Sequence, residues 1–110
     1  MTAEDVIRRT YEAYNRRDLD GALAGLDPRI VWDTGEGHAV RGKAAVAEHW
    51  RAEWEKADAR VGIDRLERAA SESILAVTLS TRDPDGHVTS RRITNRVICD
   101  GDLIVEMRVS

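Results

Sequence analysis

Residues 11–33, YEAYNRRDLDGALAGLDPRIVWD, decide the fold, because two helical patterns in this segment give way to a strand pattern. Tyr11 and Tyr14 end an apolar stripe with helical spacing, which predicts a first helix that stops shortly after them. Asp18 is typical of a residue that caps the N-terminus of a second, short helix. We expect that helix to end at Pro28, because the residue before a proline avoids the helical region.

The segment closes with IVWD, an apolar run at residues 30–33 that predicts a strand. TGEG follows as a turn, and residues 38–41 are predicted to return as a short strand. Gly42 then opens a third helix that carries Trp50 and Trp54 on its apolar stripe. The N-terminal half is therefore mainly helical.

Beyond the third helix the apolar residues change from helical to alternating spacing, which predicts four antiparallel strands. These strands are predicted at residues 60–69, 74–81, 88–99 and 103–109. In the last strand we expect Leu103, Val105 and Met107 to share the interior face. Helices followed by a meander of strands form an α+β domain, and the 110 residues suffice for one such domain. A long curved sheet around a helix layer would form a cone-shaped barrel, whose apolar interior is a natural small-molecule site.

Composition and charge exclude several classes of function. The net charge is −3 with both signs interspersed, which argues against a nucleic-acid-binding face. Cys99 is the single cysteine, so we expect no disulfide within the chain and a reduced, cytoplasmic location. No segment has the apolar length of a signal peptide or of a membrane span.

The opening segment resembles the nuclear-transport-factor-two-like superfamily, in its SnoaL-like polyketide-cyclase and ketosteroid-isomerase-like branch. The matching features are a tyrosine-containing helix, an N-x-x-D-x-D joint at Asn15, Asp18 and Asp20, and an apolar strand ending in W-D. RGKAAVAEHW resembles the start of that family's third helix, and GDLIVEMRV resembles its closing strand. The resemblance implies three N-terminal helices packed on a curved, mainly antiparallel sheet, and a homodimer. The superfamily includes isomerases, cyclases, epoxide hydrolases, dehydratases and non-catalytic binding subunits, so the fold alone does not assign a function.

The resemblance also implies where a catalytic base would lie. In the isomerase branch a general-base aspartate follows the first strand, and Asp33 occupies that position. Shielded from water by Trp32, such a carboxylate could take a proton from a carbon beside a carbonyl. The alternative is that Asp33 is exposed and only begins the turn that follows, a common role of aspartate.

Hydrogen-bond donors are expected opposite this base. The oxyanion-binding tyrosine of the isomerase aligns with Thr10, one position before Tyr11, and its second donor falls at Thr94 or Asn95. His38 could serve as an acid or base near neutral pH, or could simply be exposed. The predicted site comprises Asp33, Tyr14 and His38 as catalytic residues, with Tyr11, Trp32, Trp50, Trp54 and Asn95 around the ligand.

Three histidines without a recognised ligand spacing predict no metal site, and we expect no cofactor. The predicted function is a small cofactor-independent enzyme that acts on a hydrophobic molecule, as an isomerase, cyclase, dehydratase or hydrolase. The alternative is a non-catalytic module of the same fold that binds a ligand or dimerises. No nucleic-acid or membrane partner is expected.

Overall fold

The computed structural model describes residues 2–110 and confirms the α+β fold, with helices packed against one curved, mostly antiparallel sheet of six strands. In chain order the elements are α1 (Ala3–Asn15), α2 (Leu19–Ala24), β1 (Leu26–Asp33), β2 (Ala39–Arg41), α3 (Lys43–Lys56), β3 (Asp58–Ala69), β4 (Glu72–Arg82), β5 (Val88–Asp100) and β6 (Leu103–Val109). The strand order is β2-β1-β6-β5-β4-β3, and β1 runs parallel to β6. Within residues 2–110 no helix is long and apolar enough to cross a membrane.

Helix α1 begins at a capping box. The Thr2 hydroxyl accepts the N–H of Asp5 at 3.2 Å, and the Asp5 carboxylate accepts the N–H of Thr2 at 3.1 Å. These contacts satisfy two of the N–H groups that a helix start leaves unpaired. The buried face of α1 carries Tyr11 and Tyr14 towards the sheet, where the helix contacts β3 and β6.

The predicted joint after α1 ties the helix to the edge strand β3. The Asn15 side chain donates to the carbonyl of Val61 and accepts the N–H of Val61, both at 2.8 Å. One amide group thus satisfies both backbone groups of a residue on the outer edge of the sheet. Asp18 then caps α2 by accepting the N–H of Gly21 at 3.0 Å, as predicted.

Pro28 does not end the second helix, contrary to the prediction. Helix α2 ends at Ala24, and Pro28 lies inside β1. The pairing of β1 with β6 shifts between Leu26 and Val31, around the proline. Because proline has no N–H to donate, strands accommodate it at such irregularities.

The interior face of β6 also differs from the predicted alternation. Ile104 and Met107 are buried, whereas Leu103 and Val105 are half-buried. Val105 has no partner in the register of β5 with β6, which is the signature of a bulge. The extra residue places Ile104, in place of Leu103 and Val105, on the interior face with Met107.

The core lies between the helices and the inner face of the sheet, by which we mean the face turned towards the helices. Its most deeply buried side chains are Ile7, Leu26, Ile30, Val46, Leu75, Val77, Val97 and Ile104. On β5, Asn95 and Val97 are buried at this inner face, while Arg92 and Arg96 are exposed. Because side chains alternate between the two faces along β5, its inner-face residues extend from the core to the end of the sheet.

Candidate functional site

Two adjoining cavities lie between the helices and the inner face of the sheet. The inner cavity has a volume of about 50 Å³ and is lined by Thr10, Tyr11, Tyr14, Trp50, Val61, Asn95 and Met107. The outer cavity has a volume of about 380 Å³ and is lined by Trp32, Thr34, Glu36, His49, Ala52, Glu53, Lys56, Leu79, Arg91, Ile93, Asn95, Met107 and Val109. Asn95 and Met107 belong to both walls, so the two volumes adjoin at these residues.

The inner cavity contains a buried polar pair from α1 and β5. The amide nitrogen of Asn95 donates to the hydroxyl oxygen of Tyr11 at 2.5 Å. Burial raises the pKa of Tyr11 to about 12, although the bond from Asn95 acts in the opposite direction. Tyr11 therefore keeps its proton at neutral pH. Because its oxygen is the acceptor in this contact, its O–H can donate to a ligand.

Asn95 also offers an unused acceptor. Its carbonyl oxygen is buried and has no hydrogen-bond partner among residues 2–110. Buried amide oxygens are nearly always paired in folded proteins, so a lone one at a cavity wall is a feature to explain. Together Tyr11 and Asn95 present one donor and one acceptor to the same space. Thr94, the other predicted position, lines neither cavity, and the Thr10 hydroxyl is bonded to the carbonyl of Val6.

A second cluster of polar side chains, Tyr14 of α1 with Glu53 and His49 of α3, extends from the inner cavity to the outer one. The Tyr14 hydroxyl donates to Oε2 of Glu53 at 2.7 Å, and Nε2 of His49 lies 3.0 Å from Oε1 of the same carboxylate. Burial, and then the adjacent charge of Glu53, raise the pKa of Tyr14 above its ordinary value. Glu53 thus accepts a hydrogen bond from Tyr14 through one oxygen, and its other oxygen lies beside the imidazole.

The imidazole of His49 is further positioned by an aromatic contact. Trp32 meets it edge-on, with ring centroids 4.7 Å apart. His49 and Glu53 both line the outer cavity. The sequence interpretation missed this pair, although a signal for it exists: His49 and Glu53 are four residues apart, and such residues are neighbours on a helix surface.

Asp33 and His38 lie outside the two cavity walls. Asp33 follows Trp32, which faces the outer cavity, so the alternation of β1 turns the carboxylate to the other side. One carboxylate oxygen accepts the N–H of Gly35 at 3.0 Å, as in an ordinary turn. His38 is exposed, and its carbonyl accepts the N–H of Thr34. The geometry brings neither residue to Tyr11, and their catalytic roles stay predictions.

The three tryptophans take different places. Trp50 lines the inner cavity, with its ring 5.7 Å from that of Tyr14, and Trp32 lines the outer one. Trp54 lines neither; it packs on Tyr14 at 5.2 Å, under the guanidinium of Arg17 at 5.6 Å. Of the eight predicted site residues, five therefore surround the cavities: Tyr11, Tyr14, Trp32, Trp50 and Asn95.

Among residues 2–110, one group of possible metal ligands occurs away from the cavities. Asp83, Asp85 and His87 place ligand atoms within 4.8 Å of one another in the exposed loop between β4 and β5. One oxygen of Asp83 accepts the N–H groups of Asp85 and His87, at 3.0 and 2.9 Å. These hydrogen bonds are typical of a turn, and they explain why the three side chains lie close together.

Comparison with known proteins places this geometry in a family. No curated protein matches the chain. Among solved structures, a Δ5-3-ketosteroid isomerase from Mycobacterium sp. aligns with a TM-score of 0.85 and 23% identity, covering 98% of this chain and 91% of the isomerase. A Mycobacterium tuberculosis protein in complex with estradiol-17beta-hemisuccinate aligns with a TM-score of 0.86 and 17% identity, over 97% and 91% of the two chains. An LEH-like epoxide hydrolase from M. tuberculosis aligns with a TM-score of 0.86 and 17% identity, over 97% of this chain and 80% of the hydrolase.

These likenesses confirm the nuclear-transport-factor-two-like fold. Because the SnoaL-like domain model matches residues 7–107, the chain belongs to the SnoaL-like family.

Proposed function

We propose that this chain is a cofactor-independent enzyme that enolises a small, largely apolar carbonyl compound held in the two cavities. The observation that carries the proposal is the placement of two polar groups around one apolar space. The buried hydroxyl of Tyr11 lies at the inner cavity, and the imidazole of His49, 3.0 Å from the carboxylate of Glu53, lines the adjoining outer cavity. Enolisation needs this combination of a donor at the oxygen and a base at the neighbouring carbon.

Each residue takes one part of the proton transfer. Nδ1 of His49 removes a proton from the carbon next to the carbonyl, and the electron pair moves onto the carbonyl oxygen. Tyr11 donates its O–H to that oxygen as the negative charge develops. Glu53 keeps the imidazole in one orientation and stabilises the imidazolium that forms. Returning the proton to another carbon gives an isomerase, and expelling a neighbouring hydroxide gives a dehydratase.

The size and lining of the cavities set the class of ligand. The outer cavity, at about 380 Å³, falls in the range of small-molecule sites, and aromatic and aliphatic side chains form much of its wall. A compound of one or two rings would fill it and reach the inner cavity with its carbonyl. The relatives named above, a ketosteroid isomerase and a protein in complex with a steroid ester, support a ring compound as the ligand.

Deuterium exchange tests the proposal without knowledge of the natural substrate. β-Tetralone is an apolar two-ring ketone, and proton NMR in heavy water follows the loss of its α-protons. We expect the protein to accelerate this loss well beyond free imidazole at the same pH. Tyr11→Phe should lower the rate about 100-fold, which is typical for removal of one oxyanion donor. A wild-type protein no faster than imidazole would refute enolisation.

The alternative is a binding module without catalysis. The observation that favours it is the position of Asp33, whose carboxylate turns to Gly35 and away from the cavities. Tight binding of β-tetralone with exchange at the background rate would support this alternative. The homodimer and the cytoplasmic location stay predictions, argued from the family resemblance and from the single Cys99.

A further inference from the structure

Strand β5 places a cation and an amide on one wall of the outer cavity. Arg91, Ile93 and Asn95 occur at every second position and all line this cavity. At about 3.3 Å per residue, the Cα atoms of Arg91 and Asn95 are roughly 13 Å apart along the strand. An apolar side chain, Ile93, lies between the two polar ones. The wall is thus polar at both ends and apolar in the middle.

Arg91 has no acidic partner among residues 2–110. Its neighbour across the ladder on β4 is Leu79, which also lines the cavity. Within residues 2–110 no hydrogen bond or ion pair engages its guanidinium. In contrast, Arg96, an exposed residue further along the same strand, pairs with Glu72 at 2.6 Å.

Lys56 adds a second cation to the lining of the outer cavity. It lies at the end of α3, lines the outer cavity, and has no ion pair within the described part of the chain. Two carboxylates also line this cavity. Both oxygens of Glu53 are occupied by Tyr14 and His49, and Glu36 is exposed on the turn after β1. Within residues 2–110, neither carboxylate forms an ion pair with Arg91 or Lys56.

We propose that the ligand of this site is an amphipathic anion, with its carbonyl or enol end at Tyr11 and Asn95 and a carboxylate at Arg91 and Lys56. This inference rests on the proposed function, because it assumes the same cavity and the same orientation of the reacting group. A guanidinium binds a carboxylate through two parallel N–H groups, which would fix the outer end of the ligand. The apolar body would then lie along Ile93 and Met107, which line the same wall.

A pair of matched probes tests the inference. The first is the hydroxynaphthoate whose hydroxyl and carboxylate lie at opposite ends of the double ring, and the second is its uncharged methyl ester. The ring hydroxyl imitates an enol. Quenching of the fluorescence of Trp32 and Trp50, which line the cavities, reports binding of either probe. We expect the acid to bind more tightly than the ester, and added sodium chloride to weaken only the acid.

Arg91→Gln and Arg92→Gln form a matched pair of variants, because the two arginines are adjacent and Arg92 lines neither cavity. Arg91→Gln should weaken binding of the acid about five- to tenfold, as expected for a partly exposed charge-assisted contact. It should leave binding of the ester unchanged. Arg92→Gln should change neither, and Lys56→Gln should weaken the acid less than Arg91→Gln.

The outcomes separate this inference from the proposed function. Equal affinities for acid and ester, or equal losses in Arg91→Gln and Arg92→Gln, would overturn the anionic ligand and leave the enolising site in place. Failure of both probes to bind a wild-type protein that still exchanges the α-protons of β-tetralone would overturn the anionic ligand alone. The same failure in a protein without that exchange would overturn both proposals. If both probes bind, and Tyr11→Phe weakens their binding while Arg91→Gln does not, only the inner half of the proposed site is retained.

Discussion

At the scale of single residues, the contact between Tyr11 and Asn95 joins α1 to β5 through two buried polar side chains. Tyr11→Phe removes the acceptor, so the amide nitrogen of Asn95 stays buried without a hydrogen bond. This change should lower the free energy of unfolding by about 1–3 kcal/mol. Replacing both partners with apolar residues, as Tyr11→Phe with Asn95→Leu, should recover most of that loss. Urea denaturation of both variants measures the difference. Equal stability of Tyr11→Phe and the wild type would contradict the account of this pair.

The same residue gives a pH dependence. The pKa of Tyr11 is raised to about 12 from an ordinary value of 10.0, because burial disfavours the phenolate. Above pH 10 the unfolded chain loses this proton and the folded chain retains it, so the free energy of unfolding falls as the pH rises from 10 to about 12. The loss at the upper end is on the order of 2–3 kcal/mol. Tyr14, whose pKa is also raised, acts in the same direction.

Near-ultraviolet absorbance of tyrosinate measures this effect directly. At pH 10 the folded protein should show almost no tyrosinate, while the protein in urea should show about half of its tyrosines ionised. A folded protein that ionises like the urea-denatured one would show that Tyr11 is not buried as described.

At the scale of elements, the Asn15 side chain fixes the end of α1 against β3. It satisfies the N–H and the carbonyl of Val61 at 2.8 Å each. Asn15→Ala should lower the free energy of unfolding by about 1–3 kcal/mol, because both contacts are lost at a partly buried edge. Asn15→Asp retains the acceptor and loses the donor, so it separates the two contacts. A fully stable Asn15→Ala would mean that water replaces the side chain at no cost.

The elements also show how far sequence reasoning reaches. Helix α1 and the cap of α2 at Asp18 could be predicted, because spacing and capping are local properties. The interior face of β6 could not, since it depends on a bulge opposite β5 that no local pattern announces. The prediction that Pro28 ends the second helix is wrong, because a proline can mark an irregular strand as well as the end of a helix.

For the site, the family resemblance places the two donors at Thr10 and at Thr94 or Asn95. The predicted site includes Tyr11, next to Thr10, and Asn95, which the structure brings into contact. The resemblance leaves the base at Asp33. It did not lead to His49 and Glu53, because whether a helical pair faces a cavity depends on how α3 is rotated against the sheet. The orientation of Asp33 was readable in principle. Trp32 is apolar and precedes it on a strand, so the two side chains must point to opposite faces.

At the scale of the whole molecule, a homodimer remains the prediction. The exposed side of the sheet mixes half-buried apolar residues such as Ile74 and Ile98 with charged ones such as Arg96, which suits a modest interface. Light scattering on the eluting protein should give twice the mass of the chain at micromolar concentration. A monomer at that concentration would contradict the prediction, and would leave the enolising site untouched, since one chain supplies all of its residues.

The most direct test of the central claim compares two substitutions in the deuterium exchange of β-tetralone. His49→Gln removes the proposed base, and Gln can still donate a hydrogen bond to Glu53, so the fold should persist. The exchange rate of this variant should fall at least about 100-fold, as is usual for loss of a general base. Asp33→Asn, whose amide oxygen can still accept the N–H of Gly35, should exchange at the wild-type rate. An active His49→Gln beside an inactive, folded Asp33→Asn would contradict the account and make Asp33 the base.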